Sequence, residues 1–103
     1  MVKHIILWTL KEEYSPAEKV NIKKGIKEGL EALQGKIPGL IDIKVYTEGL
    51  ESSVNAEVML DSSFESEAAL KGYAVNPLHV AVAEGKVRPF TASRSCFDFE
   101  VNN

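Results

Sequence analysis

The chain has 103 residues, 45% hydrophobic and 26% charged, an ordinary globular composition that excludes a disordered or fibrous chain. Its 12 Lys and Arg against 15 Asp and Glu give a formal net charge of −3, and no stretch gathers the basic residues into a stripe with interleaved aromatics, which argues against a nucleic-acid partner. The lone Cys96 cannot close an intramolecular disulfide, and no Cys/His cluster has zinc-ligand spacing, so Cys96 reads as a small buried hydrophobe in a reducing compartment.

Val2 to Lys11 predicts a strand. His4, Ile6, Trp8 and Leu10 share one face, Ile5, Leu7 and Thr9 the other. A strand apolar on both faces is buried on both, so helices should cover one side and a second subunit the other. A domain of this size gains from such cover. The start of the chain lacks the long apolar run of a signal peptide, and nothing approaches a membrane span, so a cytoplasmic protein without a membrane partner is expected.

Ser15-Pro16-Ala17-Glu18 combines a hydroxyl N-cap, proline at the first helical position and a glutamate placed for a capping box. The helix it opens should run to about Gln34, with Ile22, Ile26, Leu30 and Leu33 on its apolar side and Gly35 as its stop. Gly25 and Gly29 fall on that buried side. Each costs about 1 kcal/mol relative to alanine, so the pair signals either close approach of the backbone to the sheet or a hollow, close packing being the preferred reading.

Leu40 to Glu48 alternates Ile41, Ile43 and Val45 with Asp42, Lys44 and Tyr46, and leads through a polar connection into Val54 to Leu60, a β-hairpin. Val54, Ala56, Val58 and Leu60 form the core face of its second strand. Ser63 and Ser66 offer caps for a short helix carrying Ala68, Ala69, Leu70 and Tyr73. Asn76-Pro77 must interrupt it, because the residue before proline is pushed out of the helical region. A second helix starts there with Asn76 as N-cap and His79 in its first turn, and ends near Arg88-Pro89. Thr91 to Val101 is the last strand, with Phe97 and Phe99 on one face and Cys96 on the other. The order β-α-β-β-α-α-β over residues 1–103 is that of a single α+β, ferredoxin-like domain with an antiparallel sheet and helices on one face.

Three segments carry a family resemblance: Val2-Lys3-His4-Ile5-Ile6-Leu7, Ile37-Pro38-Gly39-Leu40, and Leu70 through Tyr73 to Asn76-Pro77-Leu78-His79-Val80. Together they resemble the stress-responsive dimeric α/β-barrel (Dabb) family over essentially the whole chain, the tyrosine followed by Asn-Pro-x-His being the most specific part. The resemblance implies two ferredoxin-like sheets packed face to face across a homodimer. The family holds plant stress proteins without a clear reaction and a cofactor-free polyketide cyclase. By that resemblance His79 matches a general base, Tyr73 its hydrogen-bond partner, and His4 a histidine of the same pocket. Asn76 stands where the family commonly has histidine, and the first helix is longer by about one turn.

An imidazole with an ordinary pKa near about 6.5 can take a proton from carbon beside a carbonyl, and a phenol can hydrogen-bond the resulting enolate. At a helix start the macrodipole disfavours imidazolium, so a lowered His79 pKa is expected. Equally, His79 can brace the helix junction, Tyr73 can be a core aromatic, and His4 a satisfied strand histidine. Ile6 and Trp8, on the His4 face, are expected as walls of the core or pocket. Arg94 and Lys11 could steer an anionic substrate, but strand-end charges usually only protect edges, and that is the preferred reading.

Three functions remain open: a cofactor-independent cyclase or isomerase on a small hydrophobic carbonyl compound, a non-catalytic stress-related or ligand-carrying dimer, and a monooxygenase-like or haem-related barrel. No metal site, phosphate loop or cofactor is expected.

Overall fold

The computed structural model describes residues 1–52 and 55–101. β1 (Val2–Leu10) is the spine of a four-stranded antiparallel sheet of order β2-β3-β1-β4, with β2 at Leu40–Tyr46, β3 at Val58–Phe64 and β4 at Thr91–Glu100. β3 separates β1 from β2, so α1 (Pro16–Glu31) makes the crossover that a ferredoxin-like fold requires. α2 (Glu67–Val75) and α3 (Pro77–Val82) return the chain to the β4 edge through a π-helical turn, Ala83–Val87.

Local chemistry accounts for these boundaries. Ser15 caps α1 with the reciprocal Glu18 bond of a capping box, its Oγ accepting from the Glu18 N–H at 3.2 Å and its own N–H donating to Glu18 Oε1 at 2.8 Å. α1 ends at Glu31, earlier than the expected Gln34, and the chain leaves through turns to Gly35, whose φ of 81° suits glycine. Ile26 and Leu30 of α1 meet Ile6, Trp8, Val45, Val58 and Leu60 of the sheet in one core.

The two helix glycines have different causes. A Cβ on Gly29 would meet Val82 Cγ1 and Lys86 Cδ at 3.0 Å, so Gly29 lets α1 approach α3 and the π-helical turn, not the sheet. A Cβ on Gly25 would meet nothing within 4 Å.

Two register details depart from expectation. Pairing of β2 with β3 shifts between Leu40 and Asp42, so Leu40, Ile43 and Val45 face the core while Ile41 is exposed. β3 begins at Val58, not Val54, and continues through Asp61, Ser62, Ser63 and Phe64; Val54 lies outside the described residues. Ser63 therefore caps no helix, and Ser66 alone caps α2, accepting from the Ala69 N–H at 3.1 Å. These serines hide the strand from a hydropathy reading because their hydroxyls find partners: Ser62 Oγ donates to the His4 carbonyl at 3.0 Å, and Ser63 Oγ accepts from Lys3 Nζ at 3.0 Å.

The free edge of β2 is covered by side chains. Gln34 acts as a surrogate strand, its Nε2 donating to the Ile41 carbonyl at 2.8 Å and its Oε1 accepting from the Ile43 N–H at 3.1 Å. Glu31 takes the Val45 N–H at 2.9 Å, and Lys27 Nζ gives the Val45 carbonyl a bond of 2.8 Å. Such cover blunts an edge that would otherwise template pairing with another chain.

All helices lie over one sheet face, which carries Val2, His4, Ile6, Trp8 and Leu10 of β1. The opposite face, with Ile5, Leu7, Tyr46, Met59, Phe97 and Phe99, is open; Leu7 is 38% and Phe97 69% exposed. Among the described residues no helix is long and apolar enough to cross a membrane.

Candidate functional site

Asn76 creates the local geometry of the site. Its extended backbone ends α2, and its side-chain oxygen accepts from the Leu78 N–H at 2.9 Å to cap α3 ahead of Pro77. The break turns Tyr73, in the last turn of α2, and His79, in the first turn of α3, toward each other with ring centroids 4.1 Å apart and planes inclined by 35°.

Tyr73 is 2% exposed and packs on Phe64 at 5.0 Å and on His4 at 6.1 Å between ring centroids. Its hydroxyl is buried with no hydrogen-bond partner among the described residues. Burial holds the phenol well above its ordinary pKa, with the Arg94 charge opposing, so it is a hydroxyl donor and not a phenolate.

His79 is half-buried, with Nδ1 3.3 Å from the Ala74 carbonyl. With Nδ1–H donating there, Nε2 keeps the lone pair a base needs. Burial lowers the His79 pKa, and the charges of Arg88, His4 and Arg94 lower it further, while the Ala74 carbonyl works against them. The direction is the expected one, with burial as its largest cause and neighbouring cations beside it.

A cavity of about 190 Å³ opens between sheet and helices, bordered by His4, Ile6 and Trp8 of β1 together with Tyr73 and His79. The five residues singled out from the sequence thus line one hollow. A second hollow of about 510 Å³ runs along β4 and shares His4, Leu70, Ala74 and Arg94 with the first. Ligand sites typically measure about 300–1,000 Å³, so the first hollow alone suits only a small ligand, and the two together a larger one.

Four further residues at the hollows lie outside the candidate site as read from the sequence. Arg94 pairs in register with Trp8, borders both hollows and has no ion-pair partner among the described residues, a position compatible with the steering of an anion. Arg88 borders the cavity beyond His79. Asp98 accepts a hydrogen bond from His4 Nδ1, which fixes the ring of this 6%-exposed histidine. Cys96 is exposed instead of buried, because β4 is an edge strand whose helix-facing side the helices leave uncovered. Burial and the Asp98 carboxylate raise its thiol pKa. The available signal was the alternation Arg94, Cys96, Asp98 opposite Phe97 and Phe99, a polar face that an edge strand turns toward a groove.

A β2-β3-β1-β4 antiparallel sheet with helices on one face and a cavity between them defines a ferredoxin-like α+β protein. The chain matches the stress responsive A/B barrel domain (Dabb) over residues 2–101 and belongs to that family. It is similar to a dimeric protein of unknown function and ferredoxin-like fold from Bacteroides fragilis, at 32% identity and a TM-score of 0.88, covering 97% of this chain and 95% of that one. A dimeric ferredoxin-like protein of unknown function from Thermobifida fusca shares 18% identity over 97% of this chain and 90% of its own, with a TM-score of 0.76. The hydroxynitrile lyase from Passiflora edulis has the same fold, at 18% identity, a TM-score of 0.73, and coverage of 98% of this chain and 93% of that one. No curated protein matches the chain.

Proposed function

We propose that this Dabb protein is a homodimer that performs proton transfer on a small hydrophobic carbonyl compound, with His79 as general base and Tyr73 as hydrogen-bond donor to the enolate. The observation that carries the reading is the buried, unpartnered Tyr73 hydroxyl beside a neutral-leaning imidazole in one cavity. His79 Nε2 takes the proton α to the carbonyl. The C–H electron pair moves into the enolate, whose oxygen accepts a hydrogen bond from the Tyr73 O–H; the His79 imidazolium then returns the proton to another carbon in isomerisation, or to the new alkoxide when the enolate attacks a second carbonyl in cyclisation. Ile6 and Trp8 supply an apolar wall, and Arg94 attracts negative charge to the open end. The pair needs no cofactor for this step.

The homodimer rests on the open apolar sheet face and on the dimeric state of the Bacteroides fragilis relative. Two such faces packed together close a barrel.

The test is α-proton exchange: β-keto esters and thioesters are incubated with the protein in deuterium oxide and followed by NMR, alongside titration of both imidazoles in wild type and Tyr73→Phe. Exchange that is lost in His79→Ala, with a His79 pKa that moves on removal of the Tyr73 hydroxyl, supports the reading. No catalysed exchange, with a His79 that titrates as a free imidazole and ignores Tyr73, leaves a ligand-carrying dimer as the better account.

A further inference from the structure

The register of β1 against β4 places His4 opposite Asp98 and Ile6 opposite Cys96, so His4, Cys96 and Asp98 share one face of two neighbouring strands. Their donor atoms converge. Cys96 Sγ lies 3.3 Å from Asp98 Oδ1 and 3.8 Å from His4 Nδ1, while Nδ1 and Oδ1 are themselves hydrogen-bonded. We propose that these three side chains form a site for a divalent transition-metal ion of the zinc type, at the open end of the cavity.

Geometry supports it. A tetrahedral zinc ion with sulfur, nitrogen and oxygen ligands sets ligand-to-ligand distances of about 3.4–3.6 Å. The two edges to sulfur, at 3.3 and 3.8 Å, bracket that range. The third edge is closed by the His4–Asp98 hydrogen bond and must widen as the ion displaces that proton. Strands hold all three groups, so little ordering entropy opposes binding.

The donor set selects the ion. One imidazole, one thiolate and one carboxylate suit zinc, iron(II) or cobalt(II), whereas magnesium and calcium demand oxygen ligands throughout. The thiolate and carboxylate together balance a doubly charged cation. Arg94, two residues before Cys96 and bordering the same hollow, opposes the charge of the ion, while Glu67 and Glu100 on that hollow offset it. Three protein ligands leave a coordination position open, and the ligands themselves border the hollow of about 510 Å³ into which it would face. The ion would polarise a carbonyl or hold a carboxylate there, in the hollow that shares His4 with the cavity of the Tyr73–His79 pair. Neither Tyr73 nor His79 is a ligand, and their proton transfer does not require the metal; an ion on His4 would act on them through its charge.

Cobalt(II) titration of the reduced protein tests the proposal. Cys96 is the single cysteine of the chain, so any thiolate-to-cobalt charge-transfer band in the near ultraviolet comes from it. The expected result is that band, with tetrahedral d–d absorption, saturating at one ion per chain. Cys96→Ser should abolish it, Asp98→Asn and His4→Gln should weaken binding at least tenfold, and His79→Ala should leave it unchanged. Zinc should raise the melting temperature of wild type and not of Cys96→Ser. A wild-type protein with no charge-transfer band in large cobalt excess overturns the site whatever the variants do. A band that ignores both Asp98→Asn and His4→Gln also overturns it, since it marks adventitious binding to an exposed thiol.

Discussion

The Tyr73 and His79 rings face each other 4.1 Å apart across the break made by Asn76-Pro77, and the Tyr73 hydroxyl is buried without a hydrogen-bond partner among the described residues. A buried hydroxyl left this way costs about 1–3 kcal/mol, a cost expected where a polar group awaits a ligand. Tyr73→Phe should therefore leave stability unchanged or raise it by up to about 1 kcal/mol in urea unfolding while impairing proton exchange. Clear destabilisation would assign the hydroxyl a structural bond.

The lowered pKa of His79 sets the pH profile. A base is active when neutral, so exchange should rise as pH increases through a value below about 6.5 and be flat at neutral pH. His79→Ala should cost at least about 100-fold. The linkage sign follows from the same shift: folding favours the neutral ring, so stability from this group is full above the unfolded pKa and falls as pH drops through both values. A pH–rate curve of opposite slope would assign His79 an acid role.

Cover of the β2 edge should be measurable. Glu31→Ala removes the acceptor of the Val45 N–H and the partner of Lys27, and should cost about 1–2 kcal/mol in chemical unfolding. Burial raises the Glu31 pKa, but the bonds from Lys27 and Val45 outweigh it and the net shift is downward. The stabilisation is therefore present above the ordinary carboxylate pKa and lost as pH falls below it, and Glu31→Gln should flatten that part of the stability–pH curve. Gln34→Ala should increase light scattering on storage, because it bares the edge amide and carbonyl.

The two helix glycines should separate in thermal unfolding. Gly25→Ala meets open space and should stabilise by about 0.5–1 kcal/mol through helix propensity. Gly29→Ala meets Val82 at 3.0 Å, and the strain should cancel or reverse that gain. Equal effects at both positions would show that α1 moves freely against α3.

The open sheet face should behave as a subunit interface. Phe97→Lys places a charge where Phe97 and Phe99 lie 5.6 Å apart between ring centroids, and should shift sedimentation from dimer to monomer. An unchanged dimer would move the interface elsewhere.

Much of this architecture was legible in particular residues. Ser15-Pro16 and Asn76-Pro77 mark both decisive helix starts, because capping chemistry is local. The apolar stripe of α1 and the alternation of β1 identify their buried faces through periodicity alone. The last residues of β3 were not legible: Ser63 looks like a cap, and Ser62 like a polar break, until partners from β1 satisfy their hydroxyls. Nor was the bulge that turns Ile41 outward, since register depends on the partner strand.

By itself, then, the sequence determined the element order, the helix that carries Tyr73, the break that frees His79, and the strand face shared by His4, Ile6 and Trp8. All of these follow from contacts within a few residues or from a repeating pattern along one element. Only the tertiary structure decided that Arg94, Cys96 and Asp98 belong beside that face. Asp98 reaches His4 across 94 positions of sequence, and Cys96 across 92. No spacing rule spans such distances; the pairing of β4 with β1 does, because a hydrogen-bonded ladder sets side chains from the two ends of a chain on the same face.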